Sequence, residues 1–232
     1  MKKTIIALIL SIFSFTFIAC DEKQEETINL EKYLSTYQSC LYVSQDENFN
    51  IYITTITQES PFLADGLIGE MKMESSINLK PKTGDFLNYS YEYCLIGSNG
   101  QINGTLQKNK LGIAFKDTIK DLDSLGDIQK VTIKYSENEV SFMLSNVLEN
   151  AIDYSKALEL SYNHFKETVD LELANNSFNR EIYIKLINNE SENNYCYYIS
   201  FLKTYKDFYS CTISLNGEYL NENISTKQEH SN

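Results

Sequence analysis

The clearest pattern along the chain is an alternation of apolar and polar positions with a period of two. In Leu67–Leu79, the apolar residues at 67, 71, 73, 77 and 79 alternate with polar residues at 70, 72, 74, 78 and 80. Leu87–Leu95 repeats the alternation, and the turn-forming run Gly97–Gly100 follows it. Alternation over this length predicts antiparallel strands with one face in water. The same pattern predicts further strands at 49–57, 102–107, 111–116, 128–135, 140–144, 181–187, 195–202 and 208–215.

Two segments follow the 3.6-residue period of a helix instead. Residues 28–43 place four apolar side chains on one helical face, namely Leu30, Leu34, Tyr37 and Leu41. Residues 151–170 do the same with Leu158, Tyr162, Phe165 and Val169, and Asn150 or Asp153 is suited to cap this helix.

The order helix, about seven strands, helix, three strands predicts an α+β fold. We expect a predominantly antiparallel β-sheet of about ten strands, a meander or half-barrel, with two amphipathic helices. No linker composition divides residues 28–220, which favours a single domain, although a boundary near residue 150 is the alternative. The polar residues 221–232 are predicted to be a disordered tail.

The N-terminus has the layout of a secretory signal. Lys2 and Lys3 precede an uncharged apolar run over 4–18, and a polar run over 21–27 follows. The apolar run is shorter than the roughly 20 residues that a spanning helix needs, so a retained N-terminal anchor helix is the weaker alternative. We predict a signal peptide over 1–19 and a short solvated tether over 20–27.

The residues at the end of that run, Phe17-Ile18-Ala19-Cys20, resemble the lipobox of bacterial lipoproteins. The family usually has Leu where this chain has Phe17. The resemblance implies cleavage before Cys20, a diacylglycerol and a further acyl chain such as palmitate on that residue, and anchoring to the bacterial cell membrane on its extracytoplasmic side. Two acyl chains are enough for stable anchoring of a soluble domain.

Composition narrows the function classes. The chain of 232 residues carries 20 basic and 32 acidic residues, a net charge of −12. A chain this acidic lacks the positive surface that nucleic-acid binding requires. We therefore expect no nucleic-acid partner, and the membrane lipid reached through Cys20 is the first expected partner.

Cysteine and histidine offer little catalytic chemistry. After Cys20, the four cysteines Cys40, Cys94, Cys196 and Cys211 allow disulfides outside the cytoplasm, with four thiols as the alternative. Chain proximity favours Cys40–Cys94 and Cys196–Cys211, although strand alternation places Cys196 and Cys211 on opposite faces of the sheet. None of the four forms a Cys-x-x-Cys pattern, and His164 lies on a predicted helix with no nucleophile tied to it. We predict no catalytic residues, no metal site and no cofactor.

Tyrosine is the remaining signal, because the chain has 17 tyrosines and no tryptophan. Aromatic residues crowd the last predicted hairpin on both faces. One face could form a platform for a protein, a glycan or a lipid, whereas simple coverage of the sheet by tyrosine is the alternative. The candidate platform residues are Tyr195, Tyr197, Tyr198, Phe201, Tyr205, Phe208 and Tyr209.

Two weaker resemblances concern the order of elements. A helix, a long meander, a second helix and more strands resembles the periplasmic lipoprotein-carrier half-barrels, which hold acyl chains against a concave wall. That resemblance implies a wall formed by Leu67, Met71, Met73, Ile77, Leu79, Leu87, Tyr89, Tyr91 and Tyr93. The second helix with Tyr197–Lys203, Phe208–Leu215 and the run 216–220 is similar to the small PepSY module, which is linked to peptidase inhibition or cell-surface regulation.

These observations favour a membrane-anchored, non-enzymatic binding or accessory lipoprotein. A half-barrel carrier or sensor of a lipid-like molecule is the first alternative, and a cell-envelope hydrolase is the second. A carrier requires an enclosed apolar cavity, a binding module requires an exposed aromatic patch, and a hydrolase requires converging polar groups in a cleft.

Overall fold

The computed structural model describes residues 29–61, 65–189 and 194–225. The predicted signal peptide, Cys20 and the tether lie outside these residues, as does the end of the chain after residue 225. Among the described residues, no helix is both long enough and apolar enough to cross a membrane.

The described chain forms thirteen strands and one α-helix, α1 (Tyr154–Ala174). A short 3-10 helix, Glu31–Tyr33, precedes the first strand. In chain order, the strands are β1 (Leu34–Gln45), β2 (Phe49–Glu59), β3 (Met71–Pro81), β4 (Tyr91–Gly97), β5 (Gly100–Lys108), β6 (Phe115–Ile119), β7 (Ile128–Tyr135), β8 (Asn138–Met143), β9 (Ser145–Asn146), β10 (Glu181–Asn189), β11 (Asn194–Thr204), β12 (Asp207–Ser214) and β13 (Tyr219–Ser225). The α+β class with a dominant antiparallel sheet is confirmed.

All strands belong to one hydrogen-bonded sheet in the order β13-β12-β11-β10-β1-β2-β3-β6-β5-β4-β7-β8. Among the strand pairs of the described chain, β1 and β10 are the parallel pair, and the others are antiparallel. The short β9 follows β8 and pairs back with β1, so the strands from β1 to β9 curl into a ring. The strands from β10 to β13 extend from the other side of β1 and carry α1.

The helix predicted over 28–43 is wrong, because most of that segment is strand β1. Leu34 and Leu41 are both buried in the core beneath α1, although seven residues separate them. An odd spacing normally puts two strand residues on opposite faces. Two register shifts, between Leu34 and Thr36 and between Gln38 and Cys40, break the regular alternation of β1. A strand with these irregularities therefore shows the seven-residue spacing of two helical turns.

The second predicted helix is confirmed as α1. Asp153 caps it, because its Oδ1 atom accepts a hydrogen bond from the backbone N–H of Lys156 at 2.7 Å. Leu158, Phe165 and Val169 are buried against the sheet, as their spacing predicts.

Two apolar cores lie on the two halves of the sheet. The ring core fills the inside of the ring with fully buried side chains such as Phe49, Ile53, Ile77, Tyr91 and Leu95. The helix-side core lies between α1 and β10–β12 and includes Ile182, Ile184, Tyr197, Ile199 and Phe201. Partly buried residues of β1 pack against both cores, Cys40 and Tyr42 against the first and Tyr37 and Val43 against the second. β1 therefore links the two halves.

Other sequence predictions need correction at their ends. The strand predicted from Leu67 begins at Met71, because residues before it hydrogen-bond to buried glutamates rather than to a neighbouring strand. The strand predicted from Leu87 begins at Tyr91, after a 3-10 helix over Gly84–Asn88. Part of the predicted disordered tail forms β13. Its polar sequence does not predict a strand, but backbone pairing with β12 holds it in the sheet.

Candidate functional site

The predicted aromatic platform is divided between the two faces of the sheet. Tyr197, Phe201 and Tyr209 lie in the helix-side core and are less than 5% exposed, at 1%, 0% and 4%. The rings of Phe201 and Tyr209, which are paired across β11 and β12, stack with centroids 4.9 Å apart. These three residues support the fold and cannot contact a ligand.

The other face of the same strands forms an open groove of about 310 Å³. Three platform residues line it, of which Tyr198 and Phe208 are half-buried and Tyr205 is 79% exposed. Tyr183 on β10 and Leu202 on β11 complete the apolar lining, and Ser200 adds a hydroxyl group. This groove is the candidate functional site. It lies on the outer face of β10–β13, the side of these strands that is turned away from α1.

Sheet register positions the groove residues in cross-strand rows. Residues paired across neighbouring antiparallel strands lie on the same face. On the outer face the pairings form three rows: Glu181, Leu202, Phe208 and Ser225; Tyr183, Ser200, Ser210 and Asn223; and Lys185, Tyr198, Thr212 and Asn221. Sequence reasoning missed Tyr183 and Leu202, although their alternation with buried neighbours placed them on this face.

The outer face has a charge pattern unlike that of the whole chain. In the three rows, the sole carboxylate is Glu181, which is fully buried. Two ammonium groups border the groove, because Lys185 lies 4.8 Å from the ring centroid of Tyr183 and Lys206 lies 5.2 Å from that of Tyr205. An acidic chain thus presents an aromatic surface without exposed carboxylates in these three rows.

Tyr195 belongs to a different surface. It lines a second depression of about 390 Å³, together with Tyr52 and polar residues of β1, β2 and β9. Burial raises the pKa of Tyr195. The sequence prediction grouped it with the hairpin, but alternation along β11 places it on the helix-side face, where it packs against the helix-side core and does not face the groove.

The predicted disulfides are not formed, and all four described cysteines are thiols. Cys211 faces α1, with its Sγ 3.2 Å from Ser161 Oγ, whereas Cys196 is on the opposite face of the sheet, paired with Ser214. Cys40 packs against the ring core and Cys94 lies on non-adjacent β4, beside the polar depression outside the ring. Burial raises the pKa of Cys40 and of Cys211 to about 11, so neither is a thiolate nucleophile at neutral pH.

A buried ion-pair cluster lies beneath the groove and holds the start of β10. The Arg180 Nε and Nη2 atoms donate to Glu172 at 2.8–3.0 Å, and Nη1 donates to Asp207 Oδ1 at 3.0 Å. The guanidinium carbon is 4.6 Å from the ring centroid of Tyr209. Burial lowers the pKa of Arg180, but bonding to Glu172 outweighs it and raises the pKa overall. This cluster ties α1 to β10 and β12.

His164 joins α1 to the edge strand β13. Its Nε2 atom lies 2.7 Å from Glu222 Oε2, and its ring stacks on Tyr219 at 4.1 Å. The hydrogen bond with His164 lowers the pKa of the Glu222 carboxyl. Within the described chain, no group of three or more His, Cys, Asp or Glu residues is placed to hold a metal ion.

The wall implied by the half-barrel resemblance does not form one surface. Ile77, Leu79, Tyr91 and Tyr93 are buried in the ring core, where they contact other side chains. Leu67 and Met73 are instead 74% and 66% exposed. Comparison with protein-family models, with curated proteins and with solved structures found no match.

Proposed function

We propose that this chain is a membrane-anchored extracytoplasmic lipoprotein that binds a ligand, without enzymatic activity, in the groove. The observation that carries the proposal is the set of Tyr183, Tyr198, Leu202 and Phe208 on an open face, with Tyr205 projecting into solvent. Large aromatic side chains rarely stay exposed together unless a partner covers them.

Saccharides are the ligand class that suits this surface best. Sugar rings present flat C–H faces that pack on aromatic rings, and their hydroxyl groups pair with exposed amide side chains such as Asn221 and Asn223. The three rows have no exposed carboxylate that would repel an acidic sugar, and the ammonium groups of Lys185 and Lys206 attract one. An acyl chain would remain exposed to water in a groove of about 310 Å³ that is open on one side.

The groove is tested by glycan-array screening of the purified protein, followed by calorimetric titration of the strongest glycan. We expect Tyr205→Ala to weaken binding at least about tenfold, or about 1.4 kcal/mol, because it removes an exposed stacking ring. The free energy of unfolding should change by less than about 0.5 kcal/mol. Tyr89→Ala, which removes a partly exposed ring beside the ring core, is the matched control and should bind normally. Equal affinities of Tyr205→Ala and wild type would contradict the proposal.

The anchor is tested separately through Cys20. We expect Cys20→Ala to abolish acylation, because the thioether needs the cysteine sulfur, and to leave either an uncleaved chain or a secreted, cleaved chain. The cleaved chain should move from the detergent phase to the aqueous phase in a partition assay. Intact-mass measurement of the processed wild type should show the mass of two or three acyl chains on residues 20–232. Unchanged detergent partition of the cleaved variant would show that something other than lipid on Cys20 holds the protein.

A further inference from the structure

Two glutamates on strands that flank β1 are buried. Glu59 at the end of β2 is 3% exposed, and Glu181 at the start of β10 is 0% exposed. Because β1 lies between β2 and β10, usual strand spacing puts the two backbones about 10 Å apart. Two glutamyl side chains can close that distance between them. The negative charge of Glu59 raises the pKa of the Glu181 carboxyl, as expected when two carboxyl groups lie close together.

Residues 65–70 bond to both carboxyl groups through the backbone. The N–H of Gly66 donates to Glu181 Oε1 at 2.9 Å, and the N–H of Gly69 donates to Glu59 Oε1 at 2.8 Å. Glycine is required at the first contact, because Gly66 has a φ of +82° and a Cβ there would lie 2.8 Å from the backbone oxygen of Asn179. A Cβ on Gly69 would lie 2.8 Å from Glu59 Oε1 and would displace that side chain from its contact. Segment 65–70 therefore bridges the two strands by holding one oxygen of each acid.

The other oxygen of each acid has no partner. Glu59 Oε2 and Glu181 Oε2 are buried and accept no hydrogen bond from any described residue. Burial raises the pKa of Glu181, the N–H of Gly66 opposes that rise, and the charges of Glu59 and Asp65 add to it. Two described cations close to this segment in the chain are engaged elsewhere, because the Arg180 guanidinium bonds to Glu172 and Asp207, and Lys72 pairs with the exposed Glu70. Two buried, unpaired carboxylates would carry a large desolvation cost.

We propose that the Glu181 carboxyl keeps its proton on Oε2 and donates it to Glu59 Oε2, and that this hydrogen bond holds segment 65–70 across β1 as a pH-sensitive latch. One proton satisfies both oxygens, since the protonated carboxyl donates and the ionised one accepts. Release of the proton to water leaves two like charges in a buried site beside Asp65. Mutual repulsion then weakens the bonds that Gly66 and Gly69 make.

The direction of the pH effect follows from linkage. A carboxyl that binds its proton more tightly in the folded chain has a raised folded-state pKa. Between the ordinary glutamate value, about 4.3, and the raised pKa of Glu181, the folded chain holds more protons than the unfolded chain. The contribution of the pair to stability is therefore greatest at acidic pH and declines as pH rises through that window.

Nuclear magnetic resonance of the full-length chain in detergent, labelled with ¹⁵N-glycine, tests the latch. The nine glycines give a sparse spectrum in which the Gly66 and Gly69 amides can be followed from about pH 4 to pH 8. We expect both amides to shift together, with one common midpoint above about 4.3. Glu181→Gln supplies a permanent amide donor and should abolish the titration at both glycines. It should also remove the fall in thermal midpoint across this pH range. Glu59→Gln should do the same.

Glu70→Gln is the matched control, because it removes an exposed carboxylate from the same segment and should leave the common midpoint unchanged. Separate midpoints at the ordinary glutamate value, or no titration at either glycine, would overturn the proposed hydrogen bond. A second measurement adds calcium chloride at neutral pH. If Ca²⁺ raises the thermal midpoint of the wild type but not of Glu181→Gln, the two oxygens bind a cation and the proton latch is wrong. An unchanged midpoint in both proteins supports the proton.

Discussion

Replacing Arg180 by leucine lowers the free energy of unfolding by about 3–5 kcal/mol, the loss expected when one partner of a buried ion pair is removed. The guanidinium is 8% exposed and satisfies Glu172 and Asp207 together. Without it, two mostly buried carboxylates face each other beside the Tyr209 ring. Urea unfolding followed by circular dichroism measures the change.

The control for Arg180 is an exposed ion pair within α1, the helix that carries Glu172. Lys156 bonds to Glu159 at 2.7 Å, but the two side chains are 48% and 55% exposed. We expect Lys156→Met to change stability by no more than about 0.5 kcal/mol. If Arg180→Leu were as mild as this control, the cluster would not be the clamp that joins α1 to β10 and β12.

Replacing Phe49 by alanine costs about 3–5 kcal/mol, since it opens a cavity in the ring core. Phe49 is fully buried, and its ring makes edge contacts with Phe86, Tyr91, Tyr135 and Phe142 at centroid distances from 4.9 to 6.3 Å. Met73→Ala is the control, because Met73 is 66% exposed and its loss should be nearly neutral.

The Phe49 variant also tests whether the two halves unfold as one unit. Because β1 packs against both cores, we expect hydrogen exchange to accelerate in α1 and β10–β12 as well as in the ring. Mass spectrometry of the exchanged peptides separates the two regions. Lost protection confined to the ring would divide the chain into two cooperative units near residue 150.

Sequence periodicity was sufficient to predict the type of element where a segment has regular secondary structure. Leu158, Phe165 and Val169 of α1 keep helical spacing, and the hairpin at Gly97–Gly100 joins β4 to β5 as its turn residues predict. β1 was not recognised as a strand because two register shifts break its alternation, and no local residue marks either of them. Strand periodicity is a reliable guide only while the register is continuous.

The candidate site was predicted in part, for a related reason. Crowding of aromatic residues pointed to the hairpin that lines the groove, but alternation along β11 places Tyr197 and Phe201 on the inner face and Tyr198 and Leu202 on the outer face. The contribution of Tyr183 depends on the pairing of β10 with β11 across a loop. The Glu59–Glu181 pair depends on strands that are far apart in the chain, which no pattern in one sequence reveals.

The double pairing of β1 has a consequence for the order in which the chain assembles. All strands of the ring are present once residue 146 is available, whereas the start of β1 must wait for Ile182 and Tyr183 before its other edge is paired. A chain emerging from its N-terminus would complete the ring first. Until β10 arrives, it would expose an unpaired strand edge, the feature that invites pairing with other chains. Late capture of that edge by β10 makes α1 and β10–β13 a built-in protection against self-association.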